Sequence, residues 1–169
     1  MIKKTHHNIN IFLENKKWID KENFKSKKTI KDFILKFSEK TIHECFLKAK
    51  FKKFKNFNVV INFILTDDNF LKKLNANFLN KKKPTNVLSF PNDNFFKKKD
   101  NFLGEIFLSY ERCKRDAKKF RINSKDRTGH LIVHGILHLF GYDHYTNENE
   151  KKMINIESRI LNSLNNKYY

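Results

Sequence analysis

The sequence predicts an α+β fold: a single domain, residues 1–169, in which a mixed β-sheet packs with helices and one central buried helix carries two histidines. Three observations lead there. Three short stretches rich in β-branched and aromatic residues, 59–65, 86–90 and 103–109, have strand character and cluster in the middle of the chain. Stretches with apolar residues every three or four positions lie on both sides of them. No repeat, Gly/Ser run or proline-rich linker divides the 169 residues, a length that one hydrophobic core can serve.

Each element follows from its residues. Over 29–50, Ile30, Phe33, Ile34, Phe37, Ile42, Cys45, Phe46 and Ala49 recur at three- and four-residue spacings, the pattern of an amphipathic helix laid on one face of a sheet. The run 59–65, Val-Val-Ile-Asn-Phe-Ile-Leu, alternates little and predicts a strand covered on both faces. Thr66, Asp67 and Asp68 offer side-chain oxygens to the first unpaired N–H groups of a helix, which is expected to run to about Phe78. Pro84 and Pro91 bracket the strand 86–90, and a polar segment with Lys97, Lys98 and Lys99 predicts an exposed loop before the strand 103–109. The helical pattern resumes from Tyr110 to Phe120 and again over 125–140. Asn147 with Glu150 three residues later matches a capping-box start, for a last helix buried through Met153, Ile156, Ile160 and Leu164.

Composition narrows the setting more than the chemistry. Thirty-six Lys and Arg against 18 Asp and Glu give a net charge of +18, which attracts polyanions such as RNA or an acidic membrane surface. Only five of those residues are Arg, Asn and Phe are abundant, and Gly numbers four, a bias that AT-rich coding also produces. Charge therefore leaves two readings open, nucleic-acid binding and a merely solvated lysine-rich surface. The longest apolar runs, 59–65 and 131–139, fall short of the ~20 residues of a membrane span, and the N-terminus lacks the apolar core of a secretory signal. A cytoplasmic protein without a membrane partner is expected. Cys45 and Cys113 stand far apart in no ligand spacing, so they read as small core residues and not as a disulfide or a thiolate metal site.

Four of the seven histidines fall in His130-Leu-Ile-Val-His134-Gly-Ile-Leu-His138-Leu-Phe-Gly141-Tyr142-Asp143-His144. On a helix, residues four apart project from one face, so His134 and His138 can converge on one ion. Gly141 suits the left-handed position just past a helix end, from which the chain turns back to deliver His144. Catalytic zinc commonly takes three protein ligands at about 2.0–2.1 Å and keeps a fourth position for water, whereas structural zinc is closed by four, usually with cysteine. Three histidines without a nearby Cys predict one zinc ion of the open kind, able to lower the pKa of bound water to roughly 7 and so to support hydrolysis of a phosphoryl or carbonyl centre. A lone histidine on an apolar helix is more often a satisfied core residue. Several buried without partners would each be penalised, and a metal offsets that.

Three neighbours keep open roles. His130, one turn before His134, reads as a fourth ligand, a residue that holds a ligand in place, or a surface residue, the second being favoured. Asp143 reads as an acceptor for a ligand imidazole, as a proton acceptor for metal-bound water, or as an ordinary turn aspartate. Gly135 stands where a zinc protease of the H-E-x-x-H type carries its glutamate base, which argues against peptide hydrolysis.

The stretch from His134 to His144 resembles the signature H-G-x-L-H-L-x-G-Y-D-H of the YbeY family of bacterial endoribonucleases. Leu74, Asn75 and Phe78, followed by Pro84-Thr85-Asn86-Val87-Leu88-Ser89-Phe90-Pro91, resemble its other motif, and Leu103-Gly104-Glu105-Ile106 its next strand. Glu150, Met153 and Glu157 extend the likeness into the last helix. The resemblance implies a metal-dependent endoribonuclease specific for single-stranded RNA, acting on an rRNA precursor in 16S rRNA 3′-end maturation and in ribosome quality control. It also implies zinc on His134, His138 and His144 and the small ribosomal subunit as partner. Two positions depart from the pattern: Leu79 stands where the family usually has Arg, and Lys82 where an acidic residue is frequent. An Arg there would stabilise charge developing on a phosphoryl group, and Lys81 to Lys83 offer only flexible point charges. A hydrolase of another substrate and a non-catalytic, metal-stabilised ribosome- or RNA-binding assembly factor are the alternatives.

Overall fold

The computed structural model describes residues 7–79, 85–98 and 100–168, the side chains of Phe78 and Leu79 excepted. The expected positions Pro84, Lys81, Lys82, Lys83 and Lys99 lie outside the described residues.

Four strands form one mixed sheet in the order β1-β2-β4-β3, with β1 (Asn8–Leu13), β2 (Val60–Thr66) and β4 (Phe102–Ser109) parallel and β3 (Val87–Pro91) antiparallel to β4. The α+β arrangement and the mixed sheet expected from the sequence are present. β1 goes beyond that expectation. Its residues Asn-Ile-Asn-Ile-Phe-Leu mix polar and apolar types, and as an edge strand it buries Ile9 and half-buries Ile11 and Leu13.

The first helix, α1 (Lys27–Phe46), begins at a reciprocal cap: Ser26 Oγ accepts from Thr29 N and Thr29 Oγ1 from Ser26 N. It stops short of the expected residue 50, because the chain tightens into a 3-10 turn over Ala49–Phe54 that drives Phe51 and Phe54 into the core. Along β2, Ile61, Phe63 and Leu65 are fully buried while the alternate positions Val60, Asn62 and Ile64 are not. The expectation of two fully covered faces is thus corrected. The second face carries a side-chain ladder, Asn10 to Asn62 to Glu105, and α2 (Asp68–Leu79) covers part of it through Leu71, packed with Leu88 and Phe107.

The polar segment before β4 is not wholly an exposed loop. Asn92 caps a short helix, α3 (Asp93–Phe96), that buries Phe95 completely against Phe54 and Phe140. α4 (Tyr110–Phe120) follows β4 directly, capped by Ser109, and ends at Arg121 in a left-handed conformation. α5 (Ser124–Leu139) is the central helix: it touches α1, α4, α6, β3 and β4, and Leu131, Ile132, Val133, Ile136, Leu137 and Leu139 are buried. The last helix, α6 (Asn147–Ser163), is capped by Thr146, whose hydroxyl accepts from Asn149 N. Asn147 is therefore the first helical residue and not the cap. Leu164 falls just past the helix end.

Candidate metal centre

α5 places His134 and His138 one turn apart, and their Nε2 atoms lie 2.9 Å from each other. The other nitrogen of each ring is committed. His138 Nδ1 donates to the carbonyl of Tyr142 at 2.9 Å, and His134 Nδ1 donates to Glu157 Oε1 at 2.7 Å. With Nδ1 of each ring held by an acceptor, the two Nε2 atoms turn to one point 2.9 Å apart, an arrangement that suits a cation shared between them. The third imidazole arrives by the turn. Gly141 adopts φ +76°, and nothing lies within 4 Å of where a Cβ would stand, so conformation and not space calls for glycine there. Gly141 N and Tyr142 N close the helix on the carbonyls of His138 and Leu137, and the chain then brings His144 to the pair. One ligand atom from each of His134, His138 and His144 lies within 4.8 Å of the other two.

The surroundings keep these rings suited to cations. Burial and the neighbouring His134 ring lower the His138 pKa to about 4, so its imidazole is neutral at pH 7. For Glu157, burial alone would raise the pKa, but hydrogen bonds from His130 and His134 outweigh it and bring it down to about 2. This buried carboxylate therefore stays ionised beside His134. Three imidazole nitrogens, open to solvent at His144, with a carboxylate behind one of them, form a donor set that fits a divalent ion of the zinc type.

His130 is buried one turn before His134 and points its Nε2 at Glu157 Oε2, 3.7 Å away, while its Nδ1 accepts from Arg127 Nη1 at 2.9 Å. His130, His134 and Glu157 also group closely enough to hold an ion, but the adjacent guanidinium opposes a second dication there. Asp143 Oδ1 accepts from Tyr145 N at 3.1 Å and from Asn149 Nδ2 at 2.8 Å, which ties the loop to the first turn of α6. Gly135 faces the sheet: a Cβ there would lie 3.0 Å from Ile106 Cγ2 and 3.2 Å from Ser89 Oγ. No glutamate fits, which gives a steric reason for the missing protease base. Leu79 ends α2, and Lys82 lies outside the described residues.

The sequence points to Glu157 only through a likeness, not as part of the centre. A physical signal is nonetheless there. An acidic residue four positions after Met153 and next to Ile156 stands on the apolar stripe of α6, and such a group is buried only with partners.

A family model described as Endoribonuclease YbeY matches residues 19–165. A protein named Endoribonuclease YbeY from Sulfurihydrogenibium sp. is 36% identical over 152 residues, 89% of this chain and 93% of its own length. Its namesake from Acholeplasma laidlawii is 39% identical over 127 residues, 75% of this chain and 90% of its own. The solution structure of a Thermotoga maritima protein is similar in fold, with a TM-score of 0.55 and 24% identity, over 93% of this chain and 91% of that one.

Proposed function

Because the chain belongs to the endoribonuclease YbeY family, we propose that it is a zinc-dependent endoribonuclease for single-stranded RNA, with one ion held by His134, His138 and His144. The substrate in this reading is an rRNA precursor on the small ribosomal subunit, cleaved in 16S rRNA 3′-end maturation and ribosome quality control in the cytoplasm. The observation that carries it is the convergence of one ring nitrogen from each of the three histidines within 4.8 Å, with the Nδ1 atoms of His134 and His138 held by acceptors behind them.

An ion held there would supply Lewis acidity toward a phosphoryl oxygen and acidify water near neutral pH. The chain's own residues do the rest. Tyr142 O lies against His138 Nδ1 and Glu157 Oε1 against His134 Nδ1, and the left-handed Gly141 turns the chain toward His144. The net charge of +18 gathers the phosphate backbone with a strong dependence on salt. No helix among the described residues is long and apolar enough to cross a membrane.

Leu79 favours a second reading, a non-catalytic, metal-stabilised assembly factor, because the residue replaces an Arg that would neutralise developing charge. The deciding experiment is cleavage of single-stranded RNA carrying a small-subunit rRNA 3′ end by protein of measured zinc content, beside His138→Ala and Leu79→Arg. Metal-dependent cutting that His138→Ala abolishes supports the nuclease. RNA binding without cutting by the zinc-loaded protein, with cutting gained in Leu79→Arg, supports the assembly factor.

A further inference from the structure

Behind His134 the buried polar groups form one continuous line. Nδ1 of His134 meets Glu157 Oε1 at 2.7 Å, and the other carboxylate oxygen lies 3.7 Å from His130 Nε2. Arg127 donates from Nη1 to His130 Nδ1 at 2.9 Å and from Nη2 to Asp116 Oδ2 at 2.8 Å. The same Asp116 oxygen accepts from Asn86 Nδ2 at 2.8 Å. Glu157, Arg127 and His130 are only 3%, 5% and 7% exposed. The Tyr168 ring lies flat on His130, centroids 3.6 Å apart and planes 12° apart, and faces the Arg127 guanidinium at 5.1 Å.

Well-packed apolar residues would stabilise the meeting of α4, α5 and α6 at least as well as this set of buried charges, so stability alone does not account for it. The line ends on a ring nitrogen of a ligand, and that gives it a use. An imidazole whose N–H is held by a carboxylate cannot rotate and is a better donor at its other nitrogen. We propose that Glu157, backed by His130, Arg127 and Asp116, is a positioning relay that holds His134 with Nε2 turned to the ion. The proposal rests on the three-histidine reading of the metal centre. It also gives the segment before β3 a part in the site, because Asn86 reaches the centre through this line of side chains.

The test is zinc affinity of the apo-protein, by competition with a chromophoric chelator, for the wild type, Glu157→Ala, Glu157→Gln and Arg127→Met. Cobalt(II) absorption spectra and urea unfolding of each apo form accompany it. Glu157→Ala is expected to bind zinc about 10- to 100-fold more weakly and to shift the cobalt bands. Glu157→Gln keeps an acceptor for the Nδ1 proton and should recover most of that loss. Arg127→Met should weaken binding less than Glu157→Ala does. Nitrogen-15 NMR of wild-type apo-protein reads the same point without a substitution, and His134 should carry its proton on Nδ1. A folded Glu157→Ala that binds zinc as tightly as wild type, a Gln variant no better than Ala, or an Nε2–H tautomer at His134 would each overturn the relay. Wild type that binds no zinc would overturn the three-histidine reading as well, so the two failures are distinguishable.

Discussion

A side chain longer than a methyl group has nowhere to go at Gly135. The position directly follows His134, yet α5 turns it onto the sheet, where Ile106 Cγ2 and Ser89 Oγ lie 3.0 and 3.2 Å from a Cβ position. Only a few tenths of an ångström separate these contacts from ordinary packing, so a methyl group could be absorbed by small shifts, and alanine's better helix propensity, worth about 1 kcal/mol, would partly offset the strain. A carboxylate could not be absorbed. Gly135→Glu combines overpacking with a buried, unpaired charge and is expected to destabilise the protein by about 3 kcal/mol or more. Urea unfolding of the apo-protein measures this, and a variant as stable as wild type would show that the position is not closed. The cysteines fit the same scale of argument. Both are buried, and burial raises both thiol pKa values, that of Cys113 to about 12, as suits core residues and not ligands.

At the scale of elements, α6 follows the loop that holds one candidate ligand and carries the carboxylate, Glu157, that meets another. Thr146 caps it, two residues after His144, and Asp143 reaches across to Asn149 in its first turn. Thr146→Ala removes the side-chain acceptor for Asn149 N and should cost about 1 kcal/mol, whereas Asn147→Ala should cost little. Midpoints of urea unfolding separate the two, and the opposite ranking would return the cap to Asn147. That misplacement by one residue is typical of what was legible. The pattern Asn147-x-x-Glu150 matches a capping box in composition, but the hydroxyl that accepts the bond belongs to the preceding residue, and only backbone angles decide it. Long periodic elements such as α1, α4 and α5 were readable because their apolar spacing is a property of the residues themselves. β1 was not, because its alternation, Asn8-Ile9-Asn10-Ile11, is too short to stand out, and the strand is defined by pairing with β2, where Asn8 lies opposite Val60. The three histidines were readable since helical spacing and one left-handed glycine bring them together within a single segment. Glu157 and the line through His130, Arg127 and Asp116 join α4, α5 and α6, and such contacts exist only once the helices have packed.

For the whole molecule, the candidate ion would join the buried α5 to the loop that leads into α6. His134 and His138 belong to the buried α5, while His144 is exposed on the loop leading to α6. A ligand that binds the folded state alone stabilises it by RT ln(1 + [L]/Kd), about 2.7 kcal/mol at a free concentration 100 times Kd. Loading apo-protein with zinc should therefore raise the melting temperature, and a chelator should reverse it. His144→Ala separates this linkage from ordinary packing. The ring is exposed, and its ring neighbours are His134, His138 and Tyr145, so its removal should change apo-protein stability by no more than about 0.5 kcal/mol. Under the same zinc concentration the variant should lose most of the gain, because two imidazoles four residues apart remain without their third partner. Thermal melts of both proteins, with and without zinc, give the four numbers needed. If zinc raises the melting temperature of His144→Ala as much as that of wild type, the ion does not bridge α5 to the loop, and the two helical histidines alone account for whatever binds.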